Sequence, residues 1–222
     1  MARLIIFDMD GTLYDINDVM GAVYDTQVSF LRERMGWAET KAIQFLNDNE
    51  IKPHVTKDSK SATALFVKMG LGREEWTEYR QRRFPIDRID PSRAATADQM
   101  KRFAILGDVV LLTSNTSQVC GKILARIDIA QNLFKAIVCS DTTGEDAPFD
   151  KYREMKKLID VKTYDSIISI GDRYQTDIVP ALKLGGYGCL VKAYSSIEKV
   201  CEDLESGRMV DCPDYEYFQE GE

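Results

Sequence analysis

The chain has 222 residues, 44% hydrophobic and 29% charged. Those proportions exclude a disordered chain and allow one good core, or a core with a smaller appendage. A formal net charge of −7 argues against a general nucleic-acid or anionic-membrane binder, which needs a basic face.

No apolar run is long enough to cross a bilayer. The first one, Leu4-Ile5-Ile6-Phe7, is short and runs straight into Asp8, unlike a signal peptide. A cytoplasmic protein is the expectation. The five cysteines (Cys120, Cys139, Cys189, Cys201 and Cys212) are odd in number and contain no CxxC. They read as free thiols rather than a disulfide framework or a zinc site.

In chain order, Leu4 to Phe7 predicts a central strand buried on both faces. From residue 15 to about 90 no comparable run recurs. Apolar spacing there predicts helices over 17–35, 38–49, 58–69 and 73–83, punctuated by Gly36, Gly70 and Gly72, with Pro53 in a loop. Pro85 and Pro91 mark the return to the first domain. Four further apolar runs predict strands: Val109 to Leu112, Ala136 to Cys139, Ile167 to Ile170, and Tyr187 to Val191. Between them, residues 117–128, 151–159 and 176–184 carry helical spacing. Alternating strands and helices predict an α/β fold, a Rossmann-like parallel sheet with helices on both faces. Residues 1–14 and 91–222 form this core, and residues 15–90 form an inserted all-α domain. The acidic stretch from Glu202 to Glu222 reads as a loosely ordered tail, unless Tyr215, Tyr217 and Phe218 dock it on the core.

In an open parallel sheet, ligands bind outside the carboxyl ends of the strands. Here the first strand ends in Asp8-Met9-Asp10-Gly11-Thr12-Leu13. The strand at Val109 ends in Thr113-Ser114-Asn115-Thr116, and that at Ile167 in Gly171-Asp172, with Asp177 five residues on. Each piece alone is weak. Asp commonly caps helices, and Ser114 and Asn115 could simply cap the helix that follows. Their force lies in order and placement. Clustered carboxylates need a hard cation, and oxygen ligands suit Mg²⁺. An ionised Asp beside that ion can attack phosphorus, giving an aspartyl-phosphate. A second Asp two residues on can protonate the leaving oxygen and then activate water. Gly11 would let the backbone approach the phosphate closely.

These residues resemble the haloacid dehalogenase-like hydrolases, specifically the DxDGTL phosphatase group with a helical cap. Phe7 to Leu13 carry the first motif, Ser114-Asn115 the second, and Gly171-Asp172 through Asp177 the fourth. The resemblance implies Asp8 as nucleophile and Asp10 as acid/base. It implies Mg²⁺ held by Asp8, the Asp10 main-chain carbonyl and Asp172, with Asp177 supporting that loop. Gly11, Ser114 and Asn115 would bind the phosphoryl group. Asp10 also separates this chain from family members that attack carbon–halogen bonds, which lack it. The implied substrate is a small phosphorylated metabolite. A weaker resemblance to the pyrimidine 5′-nucleotidase-like branch, carried by Tyr79, Phe84-Pro85 and Ile89-Asp90-Pro91, leans toward a nucleoside monophosphate.

One departure stands out. The family's third motif supplies a Lys, often as Lys-Pro, but here Ala147 precedes Pro148. Lys151 is the nearest replacement, and Arg173 is another possible cation. Without such a cation to offset charge on Asp8 and the phosphoryl group, the chain could bind phosphate compounds and turn them over weakly. A phosphomutase is the other alternative. In the inserted domain, the basic run from Tyr79 to Arg88 reads first as a solvated helix face, with substrate contact by its arginines as the alternative. Trp37, Trp76, Tyr79 and Phe66 read as core, and His54 as a surface residue.

Overall fold

The protein is described from a computed structural model, covering residues 2–53, 62–142, 149–161 and 163–219. His54, the start of the helix expected from residue 58, and the stretch containing Ala147 and Pro148 lie outside these residues. The chain divides into two compact units, Met1–Asp15 with Ile89–Glu222, and Ile16–Arg88.

The first unit is a six-stranded sheet. Its strands are β1 (Arg3–Phe7), β2 (Asp108–Leu112), β3 (Ala136–Val138), β4 (Ser166–Gly171), β5 (Tyr187–Val191) and β6 (Tyr215–Phe218). Their order is β3-β2-β1-β4-β5-β6. All neighbouring pairs are parallel except β5 and β6. The fold is therefore α/β and Rossmann-like, with β1 at its centre.

Burial on both faces explains why β1 is apolar without alternation. Leu4 and Ile6 pack with Val110, Leu112 and Ile167, under Met155 and Ala181. Met155 lies in α7 (Lys151–Val161) and Ala181 in α8 (Val179–Leu182). Successive side chains alternate across a strand. On the other face, Phe7 meets Phe103 of α5 (Ala97–Leu106) edge-on, with ring centroids 4.9 Å apart. The chain turns from β3 on one side of β1 to β4 on the other. That reversal is the topological switch point at which such sheets open a crevice.

Two further α-helices among the described residues of this unit are α6 (Ser117–Arg126) and α9 (Ser196–Ser206). Arg102 of α5 ties to Glu198 and Glu205 of α9. The C-terminal stretch is no loose tail as far as Phe218. Tyr215 is fully buried and donates its hydroxyl to Asp203 of α9 at 2.8 Å. It thereby anchors β6 as an antiparallel edge strand, so the docked alternative is the one observed.

The second unit contains α1 (Asn17–Met35), α2 (Glu39–Asp48), α3 (Ala62–Lys68) and α4 (Arg73–Arg83). Gly36 ends α1 in the left-handed conformation, φ 64°, which glycine adopts without steric cost. The core is aromatic. Phe30 lies 5.0–5.3 Å, centroid to centroid, from Trp76, Tyr79 and Phe66. Trp37 is half-buried against it. The basic run is largely engaged within this unit. Arg83 lies over the Tyr79 ring and beside Glu33, and Arg82 pairs with Glu78. No helix among the described residues is long and apolar enough to cross a membrane.

The chain leaves and re-enters the first unit through a short ribbon. The Asp15 N–H donates to the Arg93 carbonyl at 2.9 Å, and the Ala95 N–H to that of Leu13 at 2.8 Å. Tyr14 is bridged to Ala94 between them.

Candidate active site

Asp8 stands one residue beyond β1, where its N–H still donates to the Ile170 carbonyl of β4 at 2.9 Å. The sheet ladder thus fixes the base of this side chain. The chain then turns sharply. Thr12 and Leu13 N–H groups both donate to the Met9 carbonyl, at 3.3 and 2.9 Å, and Gly11 takes φ 81°. A Cβ on Gly11 would also collide with the Asp172 carboxylate. Glycine is required here twice, for the backbone conformation and for the close approach of the β4 loop.

That loop is organised by Asp177, which is 2% exposed. One of its oxygens accepts from the Arg173 N–H at 2.9 Å. The other accepts from Thr176 Oγ1 at 3.1 Å and Lys151 Nζ at 2.8 Å. A Cβ on Gly171 would overlap Asp177. The spacing from Gly171 to Asp177 is therefore a geometric unit. The turn lets the second Asp fold back under the first.

Lys151, at the start of α7, also donates to Asp8 Oδ1 at 2.5 Å. Its ammonium bridges Asp8 and Asp177, and its side chain is 11% exposed. Burial opposes its charge, but Asp177 and Asp8 outweigh that cost and push its pKa up.

Asp8, Asp172 and Asp177 bring one carboxylate oxygen each within 4.8 Å of one another. Burial pushes the Asp8 carboxyl up to about 7, against the pull of Lys151 and with help from Asp177 and Asp10. Burial, then Asp8 and Asp177, push Asp172 up to about 8, against the pull of Arg173. Asp172 Oδ1 is buried with no hydrogen-bond partner among the described residues. An orphaned carboxylate oxygen is costly to bury, and a divalent cation would satisfy it. Hard oxygen ligands in a cluster short of positive charge fit Mg²⁺.

Asp10 sits apart from this cluster. Tyr14 donates its hydroxyl to Asp10 Oδ1 at 2.5 Å, and Asn115 Nδ2 donates to Oδ2 at 2.8 Å. The Asn115 side chain thus addresses a carboxylate rather than the following helix. That helix, α6, is capped by Thr116, with Asp141 taking the N–H and hydroxyl of Ser117, both at 2.8 Å. Thr113 is fully buried and its hydroxyl accepts from the Asn115 N–H at 3.1 Å. Ser114 is exposed between them, just past the end of β2.

The structure therefore brings Asp8, Lys151, Asp172 and Asp177 into one cluster, with Gly11 against it. It joins Asp10 to Asn115. Sequence reading missed Tyr14 and Thr113. Tyr14 lies four residues after Asp10, but only the turn at Gly11 folds it back, and no periodicity signals that. Arg173 acts on this loop through its main-chain N–H and its charge near Asp172.

The sequence model of the family described as haloacid dehalogenase-like hydrolase matches residues 2–185. No curated protein matches the chain. Similar solved structures include the HAD-hydrolase YfnB from Bacillus subtilis, described as bound to magnesium. It is 16% identical, covers 90% of this chain and 99% of that one, and has a TM-score of 0.52. The HAD phosphatase from Thermococcus onnurineus is 15% identical, covers 85% of each chain, and has a TM-score of 0.53. At these identities the likeness is one of fold.

Proposed function

The chain belongs to the haloacid dehalogenase-like hydrolases, and on that footing we propose that it is a Mg²⁺-dependent phosphomonoesterase working through an aspartyl-phosphate. The observation that carries this reading is the separation of two carboxylates two residues apart. Asp8 is held by a buried ammonium among acids, and Asp10 by neutral donors. Two environments for two carboxylates mark two roles.

Asp8 is the nucleophile. Its oxygen forms the bond to phosphorus while the bond to the leaving oxygen breaks, and Asp10 gives that oxygen its proton. Asp10 then takes a proton from water, the hydroxide oxygen bonds to phosphorus, and the bond from phosphorus to Asp8 breaks, releasing phosphate. Lys151 offsets the negative charge that gathers around Asp8 through both steps. Asp177 holds Lys151 and the Arg173 N–H, so it supports the cluster without reacting. Asp8, Asp172 and the main-chain carbonyl of Asp10 would hold Mg²⁺, which when bound supplies charge neutralisation for the phosphoryl oxygens. Gly11 and the exposed Ser114 would bind those oxygens. Asn115 serves that grouping by holding Asp10.

The substrate is a small phosphorylated metabolite, with nucleoside monophosphates the first class to test. Residues 16–88 would serve as the cap that selects it. A phosphatase and a magnesium-bound hydrolase among the similar folds agree with this reading. A binding-only protein is the reading for a site in which no cation reaches Asp8; the Lys151 ammonium on Asp8 supports the hydrolase instead.

Phosphate release from a panel of phosphomonoesters, with Mg²⁺ and with chelator, tests the proposal. Wild type should release phosphate only with Mg²⁺. Asp8→Asn should be inactive, and Lys151→Met should lose about 10²–10³-fold in kcat, the usual loss for one stabilising group. A folded wild type inert toward the panel, or an Asp8→Asn variant as active as wild type, would refute it.

A further inference from the structure

Tyr14, beside the proposed acid/base, is fully buried, at 0% exposure. Its hydroxyl is spent on one oxygen of Asp10 at 2.5 Å, while Asn115 takes the other at 2.8 Å. A short side chain such as Asp has two free torsions. A single donor would leave the carboxyl free to rotate about the bond to it. Donors on both oxygens, coming from different elements, fix the plane of the group as well as its direction. Asn115 is itself held from the end of β2, through its N–H to Thr113 and its carbonyl to the N–H of Ser140 at 3.0 Å.

Tyr14 is held equally firmly. Its main chain is bridged to Asp10 on one side and to Ala94 of the returning strand on the other. The hydrogen bonds flanking that ribbon, Asp15 to Arg93 and Ala95 to Leu13, prevent it from sliding. Asp15 also forms an ion pair with the Arg93 side chain. The phenol ring therefore reaches Asp10 from a fixed backbone and holds one of its carboxyl oxygens.

Resting on the proposed acid/base role of Asp10, we infer that Tyr14 is a positioning residue that aims the Asp10 carboxyl at the leaving oxygen. It acts through Asp10, whose Oδ1 its hydroxyl holds. Its effect is thus confined to steps that move a proton. Proton delivery matters most when the leaving group is a poor one. An alkoxide needs its proton as the bond to phosphorus breaks, whereas p-nitrophenolate departs almost unaided.

The test is Tyr14→Phe, which keeps the ring and removes only the hydroxyl. kcat/KM reports steps up to transfer onto Asp8, so later hydrolysis of the aspartyl-phosphate does not enter. For ethyl phosphate it should fall roughly tenfold or more, part of the ~10²–10⁴ that general acid catalysis contributes. For p-nitrophenyl phosphate it should stay within about twofold, which also shows that the variant is folded. In an Asp10→Asn background, the same substitution should have no further effect on ethyl phosphate, because the group it aims has gone. Equal losses on both substrates, no loss on either, or a full additional loss in the Asp10→Asn background would overturn the inference and leave the phosphatase reading standing. A wild type that releases phosphate from neither substrate nor from the wider panel would overturn that reading, and this inference with it.

Discussion

Asp8 and Asp172 show how the site depends on side chains whose charge is set first by burial. Asp8 and Asp172 are pushed up to about 7 and 8, far above the ordinary carboxylate value near 4. In the metal-free folded chain they retain protons that the unfolded chain gives up. Stability from these two groups is therefore full below about pH 4 and is lost as pH rises through about 7 to 8. Mg²⁺ competes with those protons, since its ligands must be ionised. The rise in melting temperature on adding Mg²⁺ should thus be small at pH 6 and larger at pH 8. Thermal melts with and without Mg²⁺ across that range check this. A rise independent of pH, or one unaltered in Asp172→Asn, would contradict it. At this scale the sequence was uneven evidence. Asp8, Asp10, Asp172 and Asp177 stand at strand ends in a recognisable order. Lys151 could be reached only as the nearest cation to a missing one. Tyr14 was invisible, because its contact is made by a reversal of the chain rather than by spacing.

The elements that carry these residues are held by close approaches that leave no room for a side chain. Gly11 is the clearest case, with φ 81° and the Asp172 carboxylate against its missing Cβ. Gly11→Ala should destabilise the protein by about 1–3 kcal/mol from the backbone conformation alone. It should also push the β4 loop off Asp8 and so weaken Mg²⁺ binding. Urea unfolding and a metal titration measure both, and a variant matching wild type in each would show that the loop has slack. Strands buried on both faces were legible as apolar runs, and α1 and α4 from their glycine boundaries. Three elements were not read. In α5 only Met100 and Phe103 are buried, so its apolar stripe is thin, although Thr96 and Gln99 form a capping box. In α9 the buried Ile197, Val200, Cys201 and Leu204 follow helical spacing, but acidic residues from Glu202 onward masked its end. β6 is four residues long, too short for its alternation to register.

Over the whole molecule, a helical unit interrupts an α/β sheet between its first and second strands. The interruption is legible because buried strands cease after Phe7 and resume at Asp108. Its edges are less so. The ribbon of Asp15 against Arg93 keeps a few residues with the sheet that lack any apolar signal. The sheet gathers the ends of β1, β2 and β4 at its switch point, and this convergence, more than any single motif, turns scattered acids into a site. The central claim is that Asp8 takes the phosphoryl group. Acid quenching during turnover with Mg²⁺, followed by borohydride reduction and peptide mass spectrometry, tests it most directly, since an acyl phosphate at that carboxyl is reduced to the alcohol. Homoserine at position 8, dependent on Mg²⁺ and absent from Asp8→Asn, is the expected result. Steady phosphate release with position 8 unmodified, or with the modification at another carboxylate, would contradict the account.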